Sequence, residues 1–369
     1  MAPRALPEPV LVRGTGLLGT SIGLGLRAAG ADVLLTDPSP SAQAVAVDIG
    51  AGTALEEAPG ARPGTVVVAA PPDVTGQVVV DSLRAYPGAV VLDIASVKAA
   101  IAAEVAAAVE SGAITPGDAA RYVGTHPMAG SERSGPVAAR GQLFTAAPWV
   151  VCATAGTDPA AVGTAEELAR TLGATVHRMS AADHDASVAL ISHLPQIAAS
   201  LVSSRLQETP AASLALAGNG LRDTTRIAAS DPQLWVQILA ANAPEILGIL
   251  YGVREDLDRL IATMEDPTAP GARLDIAQLI AEGNAGHARI PGKHGGPPQS
   301  FALVTVIVDD TPGQISAVLH DVGAAGINVE DLRMDHSAGY EVGMLEISVL
   351  PGRKQELADA LSAHGWKVV

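Results

Sequence analysis

Short apolar runs rich in Val, Leu and Ile recur through the first half of the chain, at 9–13, 32–37, 65–70, 89–94, 121–125, 149–153 and 174–178, and longer stretches with helical spacing separate them. Apolar runs of four to six residues that alternate with helices predict crossovers and a mostly parallel sheet buried on both faces, a Rossmann-like α/β fold. From about residue 180 the β pattern stops. Helical segments are expected near 182–207, 232–264 and 273–282, with Asp231 as a capping acid and Pro232 at the first helical position. A glycine and proline-rich stretch, 291–300, then reads as a linker. Beyond it the pattern is strand 301–308, helix 312–325, strands 327–334 and 340–349, helix 353–364 and strand 366–369, a βαββαβ or ferredoxin-like order. The expected organisation is therefore a sheet domain over 1–179, an all-helical domain over 180–287, a linker over 288–300 and a small terminal domain over 301–369.

Composition narrows the function. Aromatic residues are only 2% of the chain, so the core is built from small aliphatic side chains, which suits close helix-on-sheet packing. A formal charge of −16 argues against a nucleic-acid surface or a basic membrane face, so an anionic ligand would need a local positive pocket. The single cysteine, Cys152, excludes an intrachain disulfide and suits a reducing compartment. Gly, Pro or charge interrupts the apolar runs, and no secretory signal precedes Val10, so a cytoplasmic protein is expected. The helices of the second domain carry more apolar surface than a small subdomain needs, which points to a homodimer.

Gly14-Thr-Gly16-Leu17-Leu18-Gly19 follows the first strand and opens a helix. The helix start offers amide donors and a positive dipole end to a pyrophosphate. Asp37 ends the second strand, where a carboxylate accepts from ribose hydroxyls and repels a 2′-phosphate, so NAD is expected rather than NADP. In a doubly wound sheet ligands gather at the carboxyl ends of the strands, which collects Gly14, Asp37, Pro71, Ser96 and His126 on one edge.

His126 lies in Gly124-Thr-His-Pro-Met-Ala-Gly-Ser131-Glu132-Arg-Ser-Gly135, and since the unperturbed pKa of a histidine is near neutrality it could take a proton from a substrate hydroxyl as hydride leaves the same carbon. Ser96 could hydrogen-bond that hydroxyl, or simply cap a helix starting at Val97. Pro195, in Ile191-Ser192-His193-Leu194-Pro195, is expected to kink its helix around Ile191 and Ser192. His184 and His193 are half a turn out of phase on a straight helix, so no metal site is expected. Arg222 and Arg226, at i and i+4, could each clamp a carboxylate, or serve surface ion pairs.

Taken together, Gly14 to Ser21, Ser96-Val-Lys98, His126 to Gly135, Asp183-His-Asp185, Ser192-His-Leu-Pro195 and Arg222 to Pro232 resemble the prephenate dehydrogenases and their arogenate-using relatives. The resemblance implies oxidative decarboxylation with NAD, His126 accepting the hydroxyl proton, Ser96 as its partner and Arg226 binding a carboxylate. Ser131, Glu132, Ser192, His193 and, more weakly, Arg222 would line the substrate pocket. Leu221 and Arg13 depart from the family's usual phenylalanine and small apolar residue. The terminal unit resembles an ACT domain through Asp309-Asp-Thr-Pro312-Gly313 and Gly326-Ile-Asn328-Val-Glu330, which implies an amino-acid effector, naturally tyrosine, near Pro312, Gly313 and Asn328. The glycine and proline there could equally only shape turns. Prephenate and arogenate both stay open as substrates, as do the 4-amino analogue of prephenate and a non-catalytic sensor of NAD and an amino acid.

Overall fold

The computed structural model describes residues 6–130, 133–292, 296, 299–336 and 342–369. They form two compact units, one of residues up to Gln207 with Thr224–Arg254, the other of Glu208–Asp223 with Glu255–Val369.

The first unit is built on β1 (Val10–Arg13), β2 (Val33–Thr36), β3 (Thr53–Ala54), β4 (Thr65–Val68), β5 (Val90–Asp93), β6 (Tyr122–Pro127), β7 (Pro148–Cys152) and β8 (Thr175–Arg178). Their order across the sheet is β3-β2-β1-β4-β5-β6-β7-β8, all parallel except β6 against β7. The seven expected strands form; β3, only two residues long, leaves no periodic signal in the sequence. Alternate side chains serve opposite layers: Val10, Val12, Val33 and Leu35 pack into one, Leu11, Leu34, Val66 and Val68 into the other. Helices cover both faces, and this is why the strands read as continuous apolar runs. The strand order reverses between β1 and β4, which opens a crevice at their carboxyl ends.

Arg13, at the end of β1, reaches sideways into the helix Pro72–Ala85. Its guanidinium donates to the Ser82 hydroxyl at 2.7 Å and the Val78 carbonyl at 3.3 Å. It ties that helix to the sheet, and this accounts for a charged residue beside the glycine turn.

The helical run after β8 is continuous but not uniform. It comprises Ala181–Val188, a π-helical turn Ala189–His193 and Leu194–Ser204. Pro195 lacks an amide hydrogen, so the helix cannot keep its regular ladder there, and the slack is taken up in the wider turn before it. By length and hydropathy this 24-residue run would qualify as a membrane span, contrary to the expected interruption of apolar runs. Its buried His184, Asp185 and His193 instead make it a wall of the candidate site. Asp231 caps the next helix as expected, accepting from the Gln233 amide at 2.9 Å. The single helix anticipated over 232–264 is two, Pro232–Ala241 and Ala243–Glu265, bent by 93° at Asn242.

The second unit contains the helix Ala272–His287 and a four-stranded antiparallel sheet of β9 (Ala302–Asp309), β10 (Asp331–His336), β11 (Val342–Val349) and β12 (Lys367–Val368), in the order β10-β11-β9-β12. The helices Gln314–Ala324 and Lys354–Ala363 give the chain order βαββαβ. Val304, Val306 and Val308 of β9 and Leu345, Ile347 and Val349 of β11 present one apolar face, on which Val318, Val322, Leu357 and Leu361 of the two helices pack.

Candidate active site

At the crevice the glycine turn has the geometry its spacing implies. Gly14 has φ +111°, and a side-chain carbon there would overlap the Ala69 carbonyl of the neighbouring strand end. At Gly19 such a carbon would overlap the Gly14 carbonyl, so the helix Leu17–Ala28 packs directly on the turn. Gly16 faces open space, the room a pyrophosphate needs beside the helix start, where Leu17 and Leu18 form the first turn. Asp37 is held beside this turn by Thr15, whose amide and hydroxyl donate to Oδ2 at 2.6 and 3.0 Å, while the Ser39 amide donates to Oδ1 at 2.7 Å. Buried Thr15 was not among the expected site residues; a threonine inside a glycine motif carries no signal of its own. Pro71 stands immediately before the helix Pro72–Ala85. This crevice, with its carboxylate, fits an adenine dinucleotide without a 2′-phosphate.

His126 is not in a loop beyond the sheet, as expected, but inside β6, opposite Val150 of β7 and largely buried. The antiparallel β7 extends the pairing to Pro127, two residues past the anticipated end. His126 Nδ1 lies 2.8 Å from His184 Nε2, and His184 Nδ1 lies 2.7 Å from Asp185 Oδ1. The same Asp185 carboxylate accepts the Lys98 and Ala99 amides, each at 2.8 Å. Asp185 therefore caps the helix Ala99–Glu110 from another element. This corrects the expectation that Ser96 caps a helix from Val97: the helix starts two residues later, and Ser96 is half-buried with no side-chain hydrogen bond among the described residues.

A carboxylate only accepts, so His184 carries its hydrogen on Nδ1. With both rings neutral, His184 Nε2 then accepts from His126 Nδ1, and His126 Nε2 is left as a free acceptor. Burial, reinforced by His184, the Lys98 ammonium and His193, holds His126 well below the usual histidine range. Asp185 stays below the ordinary carboxylate range: its burial opposes this, but bonds from His184 and the Ala99 and Lys98 amides outweigh it. Beneath the cluster, buried Lys98 pairs with Asp93, and the Tyr122 hydroxyl donates to the other Asp93 oxygen at 2.7 Å.

The π-helical turn brings His193, at its end, to the same region. Asn242, at the 93° bend, donates to the Asp185 carbonyl at 2.8 Å and lies 3.2 Å from His193 Nδ1. The amide thereby leaves the hydrogen of His193 on Nε2. Trp235 meets the His193 ring edge to face at 6.1 Å. Burial pushes His193 down to about 4. Ser192 is half-buried in the same turn. His184, Asp185 and Asn242 were not singled out as site residues; only the Asp183-His-Asp185 motif hinted at the first two.

Arg226 is exposed and opens a 3₁₀ turn, Arg226–Ala228, while Arg222 is exposed on the helix Asn219–Thr225. The helix ends between them, so they are not one i, i+4 face. Ser131 and Glu132 lie outside the described residues. In the terminal sheet unit, Gly313 has φ +93° at the start of the helix Gln314–Ala324, Pro312 is exposed beside it, and Asn328 donates to Glu330 at 2.7 Å. Among the described residues no group of three or more His, Cys, Asp or Glu is placed to hold a metal ion.

Comparison with known proteins agrees with this geometry. Residues 22–178 match the family description of the prephenate dehydrogenase nucleotide-binding domain, and residues 180–275 that of the prephenate dehydrogenase dimerization domain. The chain is 35% identical over 363 residues to a protein described as probable prephenate dehydrogenase NovF of Streptomyces niveus, covering 96% of this chain and 98% of that one. It is 31% identical over 231 residues to the prephenate dehydrogenase of Bacillus subtilis, covering 62% and 61%. Among solved structures, the Synechocystis arogenate dehydrogenase aligns at 28% identity with a TM-score of 0.58, covering 75% and 99%. The prephenate dehydrogenase of A. aeolicus, in complex with hydroxyphenyl propionate and NAD+, shares the fold at 24% identity with a TM-score of 0.65, covering 76% and 97%. On its matched domains, the order of its motifs and a 35% identity that extends over nearly its full length, the chain belongs to the prephenate dehydrogenase family.

Proposed function

We propose that the chain is an NAD-dependent dehydrogenase that oxidises and decarboxylates prephenate to 4-hydroxyphenylpyruvate in tyrosine biosynthesis. The observation that carries this reading is the line from Asp185 through His184 to His126, which leaves one unprotonated ring nitrogen at the edge of the sheet that also holds the glycine turn. Bound NAD would supply the acceptor for the hydride leaving C4 of the substrate ring. His126 Nε2 takes the C4 hydroxyl proton, and Ser96 hydrogen-bonds that hydroxyl. The C1–carboxylate bond then breaks, its electron pair aromatises the ring as carbon dioxide leaves, and the C4 oxygen takes a proton back from His126 to give the 4-hydroxyphenyl product. As His126 gains the proton, the Asp185 carboxylate, held to it through His184, stabilises the imidazolium that forms. Arg226 is assigned to a substrate carboxylate, and Ser192, His193, Ser131, Glu132 and Arg222 are the further substrate-binding residues of this reading.

The same reading divides the chain into an NAD-binding domain over 1–179, a helical substrate domain over 180–287 and, after the linker 288–300, a ferredoxin-like ACT domain over 301–369. Support for a homodimer comes from the match to a dimerization domain and from exposed Leu234, Val236, Leu247, Tyr251, Leu257 and Ile261. Tyrosine at Pro312, Gly313 and Asn328 is the proposed feedback signal, supported by the βαββαβ order and the open left-handed turn at Gly313. The acidic chain and its one buried cysteine suit the cytoplasm.

Absorbance of NADH, with prephenate and arogenate offered separately, each with NAD and then NADP, tests the assignment. Turnover of prephenate with NAD is expected. The likeness to an arogenate dehydrogenase makes turnover of arogenate alone the competing outcome. No turnover of either refutes the reading. In the full-length chain, Asn328→Ala should blunt inhibition by tyrosine; wild-type inhibition in that variant refutes the effector site.

A further inference from the structure

The second unit holds a two-point attachment that the chemistry above does not use. Asn219 and Asp223 are four apart on the helix Asn219–Thr225 and so share a face, while Arg333 and Asp335 are two apart on β10 and share a side of that strand. Asn219 Nδ2 donates to Asp335 Oδ2 at 2.8 Å, partly buried, and Arg333 Nη1 lies 3.4 Å from Asp223 Oδ2 on the surface. The spacings match, since four helical residues advance about 6 Å and two strand residues about 6.6 Å. A single bond would let the helix swivel. Two bonds at matched spacing lay it along the strand, running opposite to it.

That helix leads directly into Arg226, which opens the next turn and makes no side-chain hydrogen bond among the described residues. We propose that Asp335 and Arg333, acting through Asn219 and Asp223, are positioning residues for Arg226, so that β10 of the terminal sheet sets the aim of the substrate-binding arginine. The proposal rests on the reading of Arg226 as the carboxylate clamp. It gives the terminal sheet a route to the chemistry that passes through the covalent chain, because whatever shifts β10 shifts the helix that precedes Arg226.

The test uses the full-length chain with prephenate and NAD. Asp335→Ala and Asn219→Ala should each raise the KM for prephenate about three- to tenfold, as loss of one bond of about 1 kcal/mol implies, with kcat and the KM for NAD unchanged. Asn219→Asp should do the same by setting two carboxylates against each other. Adding Asp335→Asn to it, which restores an amide-to-carboxylate bond with the roles exchanged, should return the KM to the wild-type value. Arg226→Ala is the control for the underlying reading. If Arg226→Ala raises the KM for prephenate and the tether variants leave it within twofold, the positioning role is overturned and the clamp stands. If Arg226→Ala leaves it unchanged, the clamp itself is wrong and the proposal falls with it. A lowered melting temperature and kcat with no rescue by the exchanged pair would mark the contact as merely structural and also overturn it.

Discussion

Replacing Asp185 by alanine removes the one group that both sets the histidine line and caps the helix Ala99–Glu110. Three donors lose a charged acceptor at 2.7 to 2.8 Å. Hydrogen bonds to charged groups contribute about 1.5 to 3 kcal/mol each, but freed amides at a helix start regain part of this from water, so a stability loss of about 3 kcal/mol is expected. The kinetic effect has a separate origin. Without the carboxylate, nothing keeps the His184 hydrogen on Nδ1. Once it moves to Nε2 it faces His126 Nδ1, and the His126 hydrogen is driven onto the nitrogen that must accept the substrate proton. The loss of a correctly oriented base is worth about 10²- to 10⁴-fold, so kcat should fall by at least 10²-fold. The assay is NADH formation at saturating prephenate and NAD, at a temperature where a melting curve shows the variant folded. His126→Asn should cause a similar loss, and the double variant should be little worse than either single one, as for residues that act as a unit. A folded Asp185→Ala variant within threefold of wild-type kcat would refute the tautomer argument.

Protonation gives a second expectation. His126 is held below the usual histidine range, so kcat/KM for prephenate should hold as pH falls through 6.5 and decline only in more acid solution; a fall centred at 6.5 would contradict the burial of the base. For His193, lowered from 6.5 to about 4, the unfolded chain binds the proton first. The stability this group contributes is therefore complete above pH 6.5 and is lost as pH falls toward 4, by about 3 kcal/mol, and urea unfolding across that window should show His193→Gln losing much less. Gly14→Ala should abolish NAD binding measured by calorimetry, because the turn needs φ +111° and the Ala69 carbonyl occupies the space; retained binding would show that the turn can relax. Asp37→Ala should narrow the preference for NAD over NADP by at least tenfold in KM, and an unchanged preference would place discrimination elsewhere.

What could be read in the chain was what depends on near neighbours. The glycine turn, Asp37 and the strand alternation are local patterns, and the structure places Gly14, Gly19 and Asp37 around one crevice. His126 was found by its place at a strand edge, although the length of its strand depends on pairing with β7, a partner distant in sequence. Asp185 as a remote helix cap was illegible, because its amide partners lie 86 and 87 residues earlier. The 93° bend did leave a signal that was passed over: Pro244, two residues beyond Asn242, has no amide hydrogen and cannot continue the preceding helix, while the buried bonds of Asn242 to the Asp185 carbonyl and His193 hold the turn in place. Arg13 looked anomalous until the helix Pro72–Ala85 supplied acceptors for its guanidinium.

The π-helical turn at Ala189–His193 gives this wall of the site a tolerance of chain length that a regular helix lacks. Such a turn is equivalent to one residue inserted into an α-helix. Deleting one of the exposed residues Leu190 or Ile191 would let the run relax to regular α-helix, removing no group that touches the chemistry. The wider turn already absorbs that extra residue, so the helices on either side would stay close to their present phase and His184 and Asp185 near His193, whereas the same deletion within a regular helix would rotate its two parts by about 100°. Loss of one codon within this turn is therefore a milder lesion than loss of one a full turn earlier or later.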